Sequence, residues 1–535
     1  MEYKSSFVKG ALILSLAGII SKILGALYRI PFARIVGDEG VGLYQMAYPF
    51  YLIILAVSTA GIPLAISKLV AERYYKEDFQ GIQRVFGTSM AMLLMIGAIA
   101  SLTLYLSADF IASNILQDPR AALSLKAIAP AILLTSAMAT LRGYFQGFQT
   151  MTPTALSQII EQLVRVTTVF VGAFYLLPWG VEYAAAGAIF GTATGGLAGL
   201  LLLIFIYLWR KSKYKNEFKN SPSKPLESYP SLAKQIIYLA IPISIGGLVL
   251  PLMQTMDALL VPFSLQTAGF SFDEATSLYG QLSGMAGALI NLPFIITTAL
   301  AASLVPAITE SLAAGKFNNI KYQFSSALRL ALIIVVPASV GLWVLAEPIC
   351  ELLYDLPEAG IPLAWLAPTV LIVGLYQTST GTLQGLNKPI IPVTSLFLGA
   401  LVKGILTFTL TALTPLGIKG AALATVIGFL VATFKNIYSL TKILGRQWFK
   451  FQDHLLKPLV AVGVMAFGVL FSYKQLMAVG IRNSFSTLLA IALGGFIYFF
   501  VLLLIGGITG QDIEKVPKLG LKITKFLRKI KLVRD

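Results

Sequence analysis

The chain has 535 residues, 57% of them hydrophobic and only 12% charged, with 41 Lys and Arg against 24 Asp and Glu for a formal net charge of +17. So little charge excludes a soluble globular fold and makes lipid the solvent. A single cysteine, Cys350, and a single histidine, His454, argue against a disulfide framework, thiolate–histidine catalysis and His-rich metal sites, and no cofactor is expected.

A helical span needs roughly 20 apolar residues, and runs of that length recur along the chain from residue 7 to residue 507. They predict an all-α integral membrane protein of about fourteen transmembrane helices, near 7–28, 44–68, 82–106, 123–145, 154–177, 183–209, 235–260, 279–303, 320–346, 362–384, 391–413, 419–441, 455–473 and 483–507. The runs are continuous rather than alternating, which argues against a barrel. The first is as long as its successors and lacks a small-residue cleavage site, so it is expected to stay as a span.

Between the sixth and seventh spans lies a long polar stretch, 210–234, whose Pro, Ser and Lys content reads as a cytoplasmic linker. Counted loop by loop, the even-numbered connections hold most of the Lys and Arg. By the positive-inside rule those loops and both termini are cytoplasmic. After the last span, 511–535 spaces Ile513, Val516, Ile523, Phe526, Leu527 and Ile530 mainly by three or four among many cations. That pattern suits a basic amphipathic helix on an anionic leaflet.

An internal repeat organises the spans. Gly143-Tyr-Phe-Gln146-Gly147 is echoed by Gly381-Thr-Leu-Gln384-Gly385 at an offset of 238, Ala186-Gly187-Ala188 by Lys419-Gly420-Ala421 at 233, and Leu43-Tyr44 by Leu278-Tyr279 at 235. Six spans per copy give both copies the same orientation, an arrangement of two six-helix lobes related by a pseudo-two-fold axis along the membrane normal. The expected organisation is an N-terminal lobe 1–209, a linker 210–234, a C-terminal lobe 235–445, two extra helices within 446–510 and the tail 511–535. Two such lobes make a cleft that rocking opens alternately to either side. Prolines within the spans, such as Pro63, Pro130, Pro293 and Pro337, free backbone acceptors and permit bending.

Once the cations near span ends are assigned to the connections, few are left inside the predicted spans: Lys22, Arg165, Lys403 and Lys435, with Glu161 the one acid well within a span. Each buried charge costs about 2.5–3.5 kcal/mol on insertion scales, so each needs a partner, a watery cavity or a route to the surface. Lys435, near the cytoplasmic end of its span, is expected to snorkel. Glu161 and Arg165, four apart, share a face, which fits either a structural ion pair or a binding site tuned by Glu161. At the offset of 238 Arg165 falls on Lys403, so both lobes place a cation in their fifth helix. Lys22, Arg29 and Arg34 extend the set toward the outer mouth. A cavity with surplus positive charge attracts phosphate or pyrophosphate. A cation-coupled exporter needs surplus carboxylate instead, for which Asp257 is the best remaining candidate.

The opening Ser21-Lys22-Ile-Leu-Gly25-Ala-Leu-Tyr28-Arg29-Ile-Pro31-Phe, followed by Gly37-Asp-Glu-Gly40-Val-Gly42-Leu-Tyr44, resembles the polysaccharide-transporter branch of the multidrug/oligosaccharidyl-lipid/polysaccharide exporter superfamily. That branch includes stage V sporulation protein B-like proteins and the peptidoglycan-precursor (lipid II) flippases. The likeness runs through Ala60-Gly61-Ile-Pro63 and Leu304-Val-Pro306-Ala307 to the last two spans. It implies movement of a polyprenyl-linked anionic sugar from the inner to the outer leaflet of a bacterial plasma membrane, for cell-wall or polysaccharide synthesis. It also implies a pyrophosphate-binding role for Lys22 and a polyprenyl groove at the extra helices. Some flippases carry Arg and Glu before the eighth-span Phe-Pro, where this chain reads Ala288-Leu-Ile-Asn291-Leu-Pro293.

The resulting expectation is a non-enzymatic flippase with Lys22, Arg29, Arg165 and Lys403 binding the anionic headgroup and Glu161 or Asp257 tuning or coupling. Its expected partners are the lipid-linked sugar, membrane lipids and cell-wall synthesis proteins, with no nucleic acid, and the working unit is a monomer. A multidrug antiporter, a membrane-embedded enzyme acting on lipid-linked glycans and a non-transporting scaffold are the alternatives.

Overall fold

In the computed structural model, which describes residues 2–59, 61–213, 227–445, 448 and 452–508, the chain is helical almost throughout. Lipid offers the backbone no hydrogen bonds, so each apolar run closes its own ladder as a helix. The helices are α1 (Glu2–Leu27), α2 (Arg29–Thr59), α3 (Ile62–Tyr75), α4 (Phe79–Phe110), α5 (Ala121–Gly147), α6 (Thr152–Leu176), α7 (Val181–Lys213), α8 (Tyr229–Thr267) and α9 (Phe272–Tyr279). After a π-helical stretch, Gly280–Ala286, follow α10 (Gly287–Ala313), α11 (Phe317–Val344), α12 (Ala346–Tyr354), α13 (Gly360–Leu366), α14 (Pro368–Gly385), α15 (Ile390–Ala412), α16 (Ile418–Leu444), α17 (Lys457–Ala478) and α18 (Asn483–Leu504).

Among the described residues, twelve stretches are long and apolar enough to cross a membrane, or thirteen if the bent pair Pro357–Leu366 and Pro368–Gly385 is one span. The difference from the fourteen expected has a physical source. The second expected span and the first from residue 16 onward lie in one continuous stretch, Leu16–Tyr75, which counts once, and the expected tenth is the bent pair. Within that stretch α2 is itself two helical pieces joined at Gly37, whose φ of 72° is a conformation glycine adopts without a Cβ penalty. The tail at 511–535 and most of the 210–234 linker lie outside the described residues.

Two compact units contain the helices, Met1–Met285 and Ala286–Asp535. In the first, α8 packs against α2, α3 and α4, and α5 lies between α3, α4 and α7. Its core is a cluster including Ile66, Val70, Ile82, Met138 and Phe145, with Leu232 and Ile236 from α8. Termini of the polar connections are capped from their own sequence: Asp78 accepts from the Gly81 amide at 2.8 Å to start α4, and Ser271 with Glu274 forms a reciprocal capping box at α9. In the second unit α10 packs on α11 and α14, α15 on α16, and the terminal pair α17 and α18 on each other, with α17 also against α11.

Close helix approaches repeat between the units. A Cβ at Gly143 on α5 would lie 2.7 Å from the Pro63 carbonyl oxygen, and one at Gly381 on α14 would lie 2.5 Å from that of Ala301. Both members of the contact are shifted by 238. The same shift relates Gly147 against Val70 to Gly385 against Ile308. On the next helix pair, Gly187 meets Gly172 as Gly420 meets Leu410, and Gly195 meets Glu161 as Gly428 meets Gly399. There the shift is 233 on one helix and 238 on the other, the two values read from the sequence. Each unit therefore packs its homologous helices through the same small-residue contacts.

Candidate functional site

The polar centre of the first unit is built on α6, whose Thr154, Ser157, Glu161, Arg165 and Thr168 recur every three or four residues and so line one face. Glu161 sits between two guanidinium groups. Its Oε1 accepts from Arg165 Nη2 at 2.7 Å and its Oε2 from Arg142 Nη2 at 2.8 Å. All three side chains are largely buried, at 14%, 18% and 16% exposure for Arg165, Arg142 and Glu161. Arg142 Nε also donates to Ser157 Oγ at 3.0 Å, which fixes the α5 side of the cluster. Arg165 Nε is buried without a hydrogen-bond partner. Two arginines against one glutamate leave this group one positive charge in excess, inside a helix bundle whose low dielectric makes that charge strongly felt. A helix of this depth tolerates it because neighbouring helices supply partners.

Facing this cluster, α2 carries Tyr44, Tyr48 and Tyr51, spaced by four and three residues. Successive rings stand 5.9 Å apart, centroid to centroid. Tyr28, at the junction of α1 and α2, shares a hydroxyl–hydroxyl bond of 3.2 Å with Tyr44, and Tyr51 pairs with Thr135 Oγ1 on α5 at 3.2 Å. Arg165 lies within electrostatic reach of Tyr44, Tyr48 and Tyr51, and Arg29 within reach of Tyr28, Tyr44 and Tyr48. Beside them a small cleft is lined by Tyr28, Arg29, Phe32, Tyr44 and Gln45 among others.

The end of this cleft is tied by polar contacts between α2, the α4–α5 connection and the α9 region. Gln45 Nε2 donates to the Ser283 carbonyl at 3.1 Å, and Gln281 Nε2 to Asp38 Oδ2 at 2.7 Å. Arg120 binds Asp118 at 2.8 Å, Asp273 at 3.0 Å and Glu39, while Thr276 donates to the buried Asp118 at 2.8 Å. The hydrogen bonds that Arg120 donates to the Asp118 carboxylate hold its guanidinium above its ordinary range, so it stays charged.

The residues singled out from sequence are thus placed as follows. Arg29, Glu161 and Arg165 share the polar region of the first unit. Lys22 is exposed on α1, one turn before Gly25, where α1 packs on Gln162 of α6. Arg34 is exposed on α2. Asp257 is half-buried on α8, within electrostatic reach of Tyr279. Lys403 is buried in the second unit at 4% exposure, with its Cβ where α15 crosses Gly428 of α16. Lys435 reaches Thr394 Oγ1 at 3.0 Å across α15 and α16. Sequence reading overlooked Arg142, which sits at the end of a predicted span next to a loop. It immediately precedes the Gly143 repeat motif, but its repeat counterpart is the uncharged Thr380, so the repeat did not mark it. Glu161 likewise maps onto Gly399, so the two units differ in their centre: two arginines and a glutamate in one, a lysine in the other.

The polysaccharide biosynthesis protein family matches residues 7–312, and the MatE family matches residues 282–409. Stage V sporulation protein B of Bacillus subtilis (strain 168) is 33% identical over 518 residues, covering 97% of this chain and 99% of its own. The lipid II flippase MurJ of the same organism is 28% identical over 550 residues, covering 98% and 99% respectively. Among solved structures, a lipid II flippase MurJ in an inward closed conformation matches with a TM-score of 0.65 and 17% identity over 92% of this chain and 98% of that one. That likeness is one of fold.

Proposed function

The chain belongs to the polysaccharide biosynthesis protein family, and from that premise we propose that it is a flippase carrying an anionic lipid-linked sugar between the leaflets of a bacterial plasma membrane. It is a multi-pass membrane transporter and not an enzyme; the relative named a lipid II flippase matches along nearly its whole length. The observation that carries the reading is the excess positive charge of Arg142, Glu161 and Arg165 inside the helices of the first unit. A polyprenyl diphosphate headgroup needs such a place to lose its water, because guanidinium forks bind phosphate oxygens in pairs.

In this reading Arg29, Arg142 and Arg165 of the first unit hold the headgroup, and Lys403 is a proposed anion-binding residue of the second unit. Lys22 adds a cation from α1, and Glu161 bridges and orients the arginines. The fourteen spans, the lobes at 1–209 and 235–445, cytoplasmic termini and a membrane-surface tail complete the arrangement, with one chain as the working unit. Outward movement of an anion is favoured by an inside-negative potential, by about 2.3 kcal/mol per charge per 100 mV. The MatE match over 282–409 raises a second reading, cation-coupled export of drugs. The excess of arginine over carboxylate at the centre argues for an anion instead.

The test is a proteoliposome assay of the exposure of a labelled polyprenyl-diphosphate sugar. Wild type is expected to move it, and Arg165→Gln and Lys403→Gln to slow it about tenfold or more at equal protein content, the loss of one charge-assisted contact each. Full transport by the double variant defeats the anion site. No transport by wild type, with drug efflux in a sensitive host, favours the antiporter.

A further inference from the structure

The tyrosines of α2 are more polar than packing requires. A phenylalanine fills the same space without bringing a hydroxyl into a lipid-embedded bundle, where an unbonded hydroxyl is costly. Tyr28, Tyr44 and Tyr51 satisfy theirs with each other or with Thr135. Tyr48 does not: among the described residues its hydroxyl has no hydrogen-bond partner, and its ring is only half-buried. It stands between Tyr44 and Tyr51 with its centroid 5.9 Å from each, its ring 20° from parallel to that of Tyr44 and tilted 41° to that of Tyr51. Arg29 and Arg165 both lie within electrostatic reach of it.

A half-buried aromatic ring with a free hydroxyl, within electrostatic reach of two guanidinium groups, is suited to a ligand that is apolar on one face, rich in hydroxyls at its rim and joined to an anion. A pyranose ring on a diphosphate has that chemistry: its axial hydrogens stack on an aromatic face, its hydroxyl and amide groups bond at the edge, and the diphosphate takes the arginines. From Tyr44 to Tyr51 the helix rises about 10 Å, room for two sugar rings in line.

We propose that Tyr48, flanked by Tyr44 and Tyr51, is the sugar-recognising element of the headgroup site, so that this protein selects polyprenyl diphosphates bearing a pyranose over bare polyprenyl diphosphate. This rests on the flippase reading above and adds its specificity. Arg165 and its neighbours recognise what all such lipids share. Tyr48 recognises what distinguishes them.

The experiment measures binding of two probes to the purified full chain in lipid nanodiscs: polyprenyl diphosphate, and the same lipid carrying one N-acetylhexosamine. Wild type is expected to prefer the glycosylated probe. Tyr48→Leu should weaken that probe about fivefold, the size of one stacking contact, and leave the bare lipid unchanged. Tyr48→Phe keeps the ring and loses the hydroxyl, so it should fall between the two, and it carries the test if the leucine variant does not fold. Equal weakening of both probes, or no change in either, overturns the proposal. Transport of the glycosylated lipid by wild type alongside that result leaves the flippase reading standing, whereas wild type that neither binds nor moves either lipid overturns both.

Discussion

At the scale of single residues, the ion cluster on α6 explains why a membrane helix keeps a carboxylate. Arg165 and Arg142 close together repel; Glu161 bridges them at 2.7 and 2.8 Å and so makes their proximity tolerable. It is also a competitor, because any anionic headgroup must share the same guanidinium protons. Replacing it by a neutral isostere keeps the volume and removes the competitor. Glu161→Gln is therefore expected to bind polyprenyl diphosphate about tenfold more tightly and to turn over more slowly, since the anion is released less readily. Titration of the ligand together with a single-turnover exposure assay checks both halves. Weaker binding with unchanged turnover counts against competition. The pair of Glu161 and Arg165 was legible from their spacing of four. Arg142 was not, because its contact crosses from α5 to α6 and no local spacing encodes it.

Among elements, the small-residue contacts carry the repeat. Gly143 and Gly381 each let a helix touch the backbone of its neighbour, with room for no Cβ. Gly143→Ala and Gly381→Ala are accordingly expected to lower stability by about 1–3 kcal/mol each, the cost of overpacking. The two sites lie in different compact units, so their effects should add. Gly87 serves as the control, since a Cβ there would meet nothing within 4 Å and the variant should melt at or above the wild-type temperature. Thermal unfolding in detergent micelles reads all three. A loss at Gly143 without one at Gly381 argues that the repeated contacts differ in energy. The pairing of the repeats was visible in sequence as three weak matches at 233, 235 and 238. That these offsets belong to interhelical contacts, with both partners shifted, required the packed helices.

For the whole molecule, topology rests on charge and can be tested with the single native cysteine left in place. Cys350, on α12, is buried, and burial pushes its thiol up to about 12. Below that value the thiol is protonated and a poor nucleophile. The native protein should therefore resist a maleimide between about pH 7 and pH 9 and react once unfolded in detergent, where the thiol returns to its usual range of about 8.5. Cysteines introduced at Ser5 and Ser221 then report sidedness against a silent background. Both are expected to be shielded in intact cells from a reagent that cannot cross the membrane, and their labelling there would reverse the proposed orientation.

What sequence alone determined follows from solvent. In lipid, apolar length dictates helices, while the loop cations and the repeat are the grounds for the proposed sidedness and lobe arrangement. The fold class was readable on those grounds, the Glu161–Arg165 pair from its helical spacing, and the flippase likeness only from the resemblance of the opening motif to a known family. Tertiary structure decided what depends on which faces meet: that Arg142 completes the cluster, that Tyr48 stands half-open between two rings, and that α8 and α9 pack with the first unit. Such contacts lie between helices distant in the chain, and hydrophobic patterning, which records only how each helix meets lipid, does not specify its neighbour.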